Sequence, residues 1–194
     1  MSTTTSTPTT RSWDDVTIPA PGTFAIDPSH TQVGFVARHM MVSKVRGSFT
    51  DYSGTIVVAE DPLLSTVEVE VQVASIDTRD ANRDNHLRSG DFFEAESHPT
   101  LTFKSSKVEH GGGNDFTITG DLTIKGMTKP VVLDATFEGV VTDPYGNERL
   151  GFTASSEIDR FEFGLEWNSA LETGGLVVGR KVKLEIEAEA TRKP

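Results

Sequence analysis

From Gly22 onward the sequence alternates apolar and polar residues with period two, segment after segment. A chain patterned in this way can bury its apolar side chains only by forming strands with one wet face. The last segment is the cleanest: Val182, Leu184, Ile186 and Ala188 alternate with Lys181, Lys183, Glu185, Glu187 and Glu189. Val67 to Val73, Val131 to Phe137, Phe116 to Ile124, Phe152 to Ile158 and the shorter Leu101 to Ser105 repeat the pattern. Near the start, Val33, Phe35 and Ala37 share a face, with Val36 as an exception. Gly111-Gly112-Gly113-Asn114, Gly126 to Pro130 and Asp143-Pro144-Tyr145-Gly146-Asn147 supply turn chemistry between the runs. Hairpin after hairpin gives an antiparallel meander, and closing it removes the exposed edges. The expected fold is all-β: an extended, eight-stranded, lipocalin-like antiparallel barrel over residues 22–194.

Small residues on the presumed inner faces, among them Gly54, Gly120, Ala135, Gly139, Ala154 and Ser156, leave room for a ligand or complement large neighbours across the core. One stretch breaks the β rhythm, Thr78 to His98. Thr78 is placed to cap a helix over Ala81–Arg88 that ends before Gly90, and Asp91–Ala95 reads as a further turn. Its Leu87, Phe92 and Phe93 need burial, so the insert is expected to cover a barrel end as a movable lid. Its charged cluster, Arg79, Asp80, Arg83, Asp84, His86, Arg88 and Asp91, reads as a head-group gate or as internal ion pairing that pins the insert. Residues 1–21 read as a flexible leader bounded by Pro19-Ala20-Pro21-Gly22, with Trp13 and Ile18 as its available anchors.

Composition removes several function classes. A net charge of −11 argues against nucleic acid and against charge-driven docking on an anionic membrane, a local basic patch aside. There is no cysteine, hence no disulfide or thiolate chemistry. No apolar run reaches the roughly 18 residues of a transmembrane span. The five histidines, His30, His39, His86, His98 and His110, form no close ligand pair, so no metal is expected. No Gly-x-Ser-x-Gly elbow is present, and Gly174 to Lys181 continues as Arg-Lys where a phosphate loop needs Lys-Ser/Thr. No catalytic residue and no cofactor is assigned.

Several ordered motifs resemble the YceI-like family of lipocalin-fold polyisoprenoid-binding proteins. They are Ile26-Asp27-Pro28-Ser29-His30-Thr31, Arg38-His39-Met40, Val42 to Phe49, Ser75-Ile76-Asp77-Thr78, Arg83 to Ser89, Asp91-Phe92-Phe93, Gly120 to Gly126 and Arg160-Phe161-Glu162-Phe163-Gly164. The resemblance spans about Gly22 to Ala190. It implies an apolar tunnel for an isoprenoid chain, such as a polyprenyl phosphate or isoprenoid quinone, and a homodimer without catalytic residues. Many relatives carry a secretory signal that Ser2 to Thr10 does not resemble, so a cytoplasmic setting is expected. The candidate walls are Phe35, Phe49, Leu101, Phe103, Leu122, Phe137 and Phe152, with Phe92 packing down on the ligand. The candidate polar contacts are His30, His39, Arg83, His86 and Arg160. Two alternatives remain at this stage: a binder of other amphiphiles (fatty acids, fatty amides, lipophilic antibiotics), or an enzyme acting on a lipid through His39 or His86.

Overall fold

Strands that each present an apolar face need a surface that closes on itself, and the chain achieves this by returning its last strand to its first. The computed structural model describes residues 9–170 and 175–194. Ser2 to Pro8 of the expected leader, and Gly174 of the rejected phosphate loop, lie outside the described residues. The elements are β1 (Thr10–Trp13), β2 (Val16–Pro19), β3 (Gly22–Ile26), β4 (Gln32–His39), β5 (Ser43–Phe49), β6 (Tyr52–Val58), β7 (Thr66–Gln72) and β8 (Ile76–Asp77). They continue as α1 (Ala81–Arg88), β9 (Thr100–Gly112), β10 (Asp115–Ile124), β11 (Met127–Thr142), β12 (Glu148–Asp159) and β13 (Val178–Arg192).

The strands β12, β11, β10, β9, β7, β6, β3 and β13 are neighbours in that order, and β13 also pairs with β12. Every pairing is antiparallel, so the eight strands form the closed barrel that the alternation predicts. β13 pairs with β3 at its C-terminal end and with β4 nearer its start, so β4 and β5 lengthen the barrel beyond β3 and β6. The β7–β9 ladder ends at Gln72 and Thr100, and β8 pairs with β5 alone. Residues 78–98 lie between those separated strands, which is why the β rhythm stops there.

The helix falls where the sequence places it, over Ala81–Arg88, but its cap differs. Asp80 accepts from the Asn82 and Arg83 amides, whereas Thr78 is buried and donates its amide and hydroxyl to Asp84 at 2.8 and 2.6 Å. Asp84 is itself buried, so the hydrogen bonds that satisfy it anchor the helix to the end of β8.

Residues 10–19 are not a flexible leader. They form the hairpin β1–β2, turning through Asp14 and Asp15 at φ 47° and 63°, a left-handed pair that Asp tolerates better than most residues. Val16 and Ile18 are buried with Phe24, Ile56, Val58, Phe137, Leu150 and Ala190, in an apolar cluster that fills one end of the barrel. Trp13 lies 4.9 Å from His110 and 6.2 Å from Phe116, centroid to centroid. Burying the two aliphatic side chains Val16 and Ile18 offsets the entropy of ordering a short hairpin.

Two arginines tie this end together. Arg149 bonds Asp27 at the β3 exit, Asp143 in the β11–β12 turn and, at 3.4 Å, Glu189 of β13. Arg192 bonds Glu148 and the Ala20 and Pro21 carbonyls, with its guanidinium 4.5 Å from the Phe24 ring centroid. The Arg149 guanidinium holds both the Asp27 and Asp143 carboxyls far below the usual carboxylate range, helped by His30 at the first and Asn147 at the second.

Ile18→Ala should therefore cost about 2–4 kcal/mol in urea unfolding, whereas a free leader would show no change. The depressed carboxyl pKa values make the Arg149 contribution present above the unfolded-state value of about 4 and lost as pH falls below it. The stability gap between the wild type and Arg149→Met should be widest near neutrality and shrink by pH 3. A gap that stays constant over this range would contradict the assignment.

Candidate functional site

Inward-facing residues of the barrel and the insert enclose a cavity of about 260 Å³ above the packed end. Its wall follows the sequence alternation. Val33, Phe35 and Ala37 of β4, Leu101 and Phe103 of β9, Ile118 and Leu122 of β10, and Val182 to Ala188 of β13 all contribute. Of the residues expected to face a ligand, Phe35, Phe49, Phe92, Leu101, Phe103, Leu122, Phe152 and Arg160 line it. The small residues divide between two roles. A Cβ added to Gly120 or Gly54 would come within 2.5 Å of Phe103 or Ile26, so these glycines admit large neighbours, whereas Ala135 and Ala154 line open space.

Five of the expected residues lie off the cavity wall. Phe137 has the inward parity but lies too far down the barrel; it packs 5.3 Å from Phe152 in the solid end cluster. His39 ends β4 beyond the lining residues. Arg83 is turned back onto Thr78, bonding its hydroxyl at 2.7 Å and its carbonyl at 2.9 Å. His86 bonds Asp91 at 2.8 Å and packs edge-on to Phe92 and Trp167, outside the lining. His30, the remaining polar candidate, is exposed and bonded to Asp27 on the outer surface. The charged residues of the insert therefore serve mainly to pin it: Arg88 adds bonds to the Ala74 and Ile76 carbonyls at 2.9 and 2.8 Å.

Arg160 is the one ionisable residue lining the cavity among the described residues. It is 3% exposed and follows β12 in a short 3₁₀ turn capped by Asp159. Its partners are neutral carbonyls, those of Gly179, Leu165, Trp167 and Val178. The neighbouring Asp159 carboxylate is engaged by Arg180 at 2.6 Å. Burial pulls the guanidinium below its ordinary value, with Asp159 opposing in part, yet arginine stays charged. The guanidinium also lies 4.9 Å from the Phe161 ring centroid, so it is held by dipoles and an aromatic face without a direct carboxylate bond; it can still serve an electron-rich group, and here it faces an otherwise apolar cavity. Leu165 and Trp167, which help build this end, lie in the aperiodic segment after the turn and carry no sequence signal beyond being apolar.

Asp27, His30 and Glu189 come close enough to suggest a metal site, but the Arg149 guanidinium already bonds two of them and supplies the positive charge. Their role is the end clamp described above.

The YceI-like domain family model matches residues 24–190. A UPF0312 protein of Staphylococcus epidermidis is 38% identical over 168 residues, covering 86% of this chain and 95% of that protein. The Campylobacter jejuni YCEI protein superposes with a TM-score of 0.69 at 35% identity, over 81% of this chain and 90% of its own. The fold alone is shared with a polyisoprenoid binding domain from Saccharophagus degradans, at a TM-score of 0.67 and 14% identity over 88% of this chain and 98% of that one. With the barrel, the insert and the ordered motifs in agreement with these matches, the chain belongs to the YceI-like domain family.

Proposed function

We propose that this protein binds a long-chain isoprenoid lipid in the barrel cavity, tail among the aromatic walls and polar end at Arg160, as a carrier or sequestering protein without catalytic activity. The observation that carries this reading is the pairing of an apolar barrel cavity with a single buried guanidinium at one end, among the described residues. The fold shared with the Saccharophagus polyisoprenoid binding domain supports the lipid class. Burial of each isoprene unit contributes on the order of 3 kcal/mol before binding costs, at about 0.8 kcal/mol per methylene-sized group. A few units therefore suffice for firm binding. A phosphate oxygen or a quinone carbonyl is the acceptor that Arg160 can serve. With no second ionisable group on the cavity wall among the described residues, the chemistry offered is recognition, not proton transfer. One barrel suffices for one ligand, and a homodimer would pair two such sites.

Denaturing mass spectrometry of lipid extracted from the purified protein should return an isoprenoid; a fatty acid or fatty amide in its place would refute that class. Arg160→Met should weaken geranylgeranyl phosphate binding about 10–100-fold more than geranylgeraniol binding, the difference made by a charge-assisted bond. Equal losses for both lipids would assign Arg160 a purely structural role. Replacing Phe92 and Phe93 with Ala should speed lipid release in stopped-flow exchange, alongside a fall in stability of about 3–5 kcal/mol for the buried Phe92 alone. Unchanged release would remove the insert from the exit route.

A further inference from the structure

The hairpin joining β4 to β5 carries the most exposed apolar cluster near the Arg160 end of the barrel. Met41 is 68% and Val42 86% exposed, with Met40 and Leu176 also open to solvent. The turn is closed by the Val42 amide on the His39 carbonyl at 3.1 Å, and the Met40 amide reaches the Val177 carbonyl at 2.8 Å. Both central residues are left-handed, Met40 at φ 49° and Met41 at φ 60°. That conformation suits Asn-Gly and strains methionine. A turn that keeps two methionines under strain, with their side chains in water, is poorly explained by folding alone.

Its charge is also unlike the rest of the chain. Arg38 and Lys44 face each other across the ladder just behind the tip, and Arg46 follows opposite Val36. All three are exposed, and their side chains make no ion pair among the described residues. The nearby Arg180 and Lys183 are instead taken by Asp159 and Glu185. Three cations without a close ion pair among the described residues thus gather behind an apolar tip on a protein of net charge −11, with Lys44 and Arg46 sharing the single Glu185 carboxylate with Lys183 at longer range. A second exposed apolar tip, Leu63–Leu64 between β6 and β7, sits beside Glu60 and Asp61 and has the opposite character. The tip lies three residues beyond the cavity-lining Ala37, about 10 Å along the strand, and Val178, opposite His39, also lines the cavity.

We propose that the Met40–Met41–Val42 tip docks on an anionic lipid bilayer, inserting its apolar side chains while Arg38, Lys44 and Arg46 meet the head groups, and so presents the Arg160 end of the barrel to the membrane. The proposal rests on the reading that the cavity takes a membrane lipid. Apolar insertion and cationic attraction supply separate contributions, and the second is screened by salt.

Flotation of the full chain with phosphatidylglycerol vesicles at low salt should show binding about tenfold stronger than with phosphatidylcholine. Met40→Asn combined with Met41→Gly should raise the thermal midpoint by about 2–4 °C, because the turn is relieved, and yet cut vesicle binding at least about tenfold. Lys44→Glu with Arg46→Glu should cut it similarly at an unchanged midpoint, whereas Leu64→Asp should leave it intact. Absence of binding to either vesicle would overturn the proposal. So would equal loss in the Leu64 variant, or tip variants that change only the oligomeric state. Tip variants should keep wild-type affinity for free geranylgeranyl phosphate. A wild type that floats with vesicles but does not bind that phosphate would refute the cavity reading and leave the docking surface standing.

Discussion

The ladder that β13 makes on both of its sides is the constraint on which the rest depends. Through Lys181 to Thr191 it pairs with β12, and on the other side it pairs with β3 and β4. Without the second set of bonds the meander would be an open sheet with two edges and an apolar face in water. With it, inward side chains from first and last strands meet, and the interior becomes one space. The cavity, the burial of Arg160 and the packed far end all presuppose that closure. So does the clamp at Arg149, which joins the β3 exit, the β11–β12 turn and β13.

Inside the closed barrel the two ends are built differently. Around Phe24, Phe137 and Leu150 large side chains interlock with the β1–β2 hairpin, and glycines elsewhere make room for close packing. Toward the insert the same alternation leaves a cavity, because Ala135, Ala154 and Ala188 stand where larger residues would fill it. The insert is itself well anchored by Asp84, Arg83 and Arg88. Any opening there works against several buried or partly buried hydrogen bonds and not against a loose loop.

Much of this was legible in the sequence, because period two determines which face a residue occupies and turn residues determine where strands reverse. Both signals are local. Phe35, Leu101, Phe103 and Leu122 line the cavity as their parity requires. Parity says nothing about height along the barrel, so it cannot tell that Phe137 belongs to the packed end and not to the cavity wall. The histidines and insert arginines look like ligand contacts in sequence, since charge density there cannot reveal that Arg83 folds back on Thr78. The β1–β2 hairpin was hidden for a different reason: its four-residue strands are too short to show alternation, and Asp14-Asp15 is a weaker turn signal than a glycine pair. Arg160 could be named only through its motif, because the carbonyls that hold it come from an aperiodic segment and a distant strand.

The interlocked end beneath Phe152 makes the barrel a blind sleeve and not a conduit. Whatever occupies it must enter and leave by the same door, and a chain with one polar terminus can do so in only one orientation. A lipid bound as proposed would enter tail first and leave polar end first. Occupancy is therefore last in, first out for every segment of the guest, and a second molecule cannot displace the first by pushing from behind. For a lipid bound as proposed, exchange requires complete withdrawal, so its rate is set by how far the chain must be drawn past the rim and not by the concentration of a competitor.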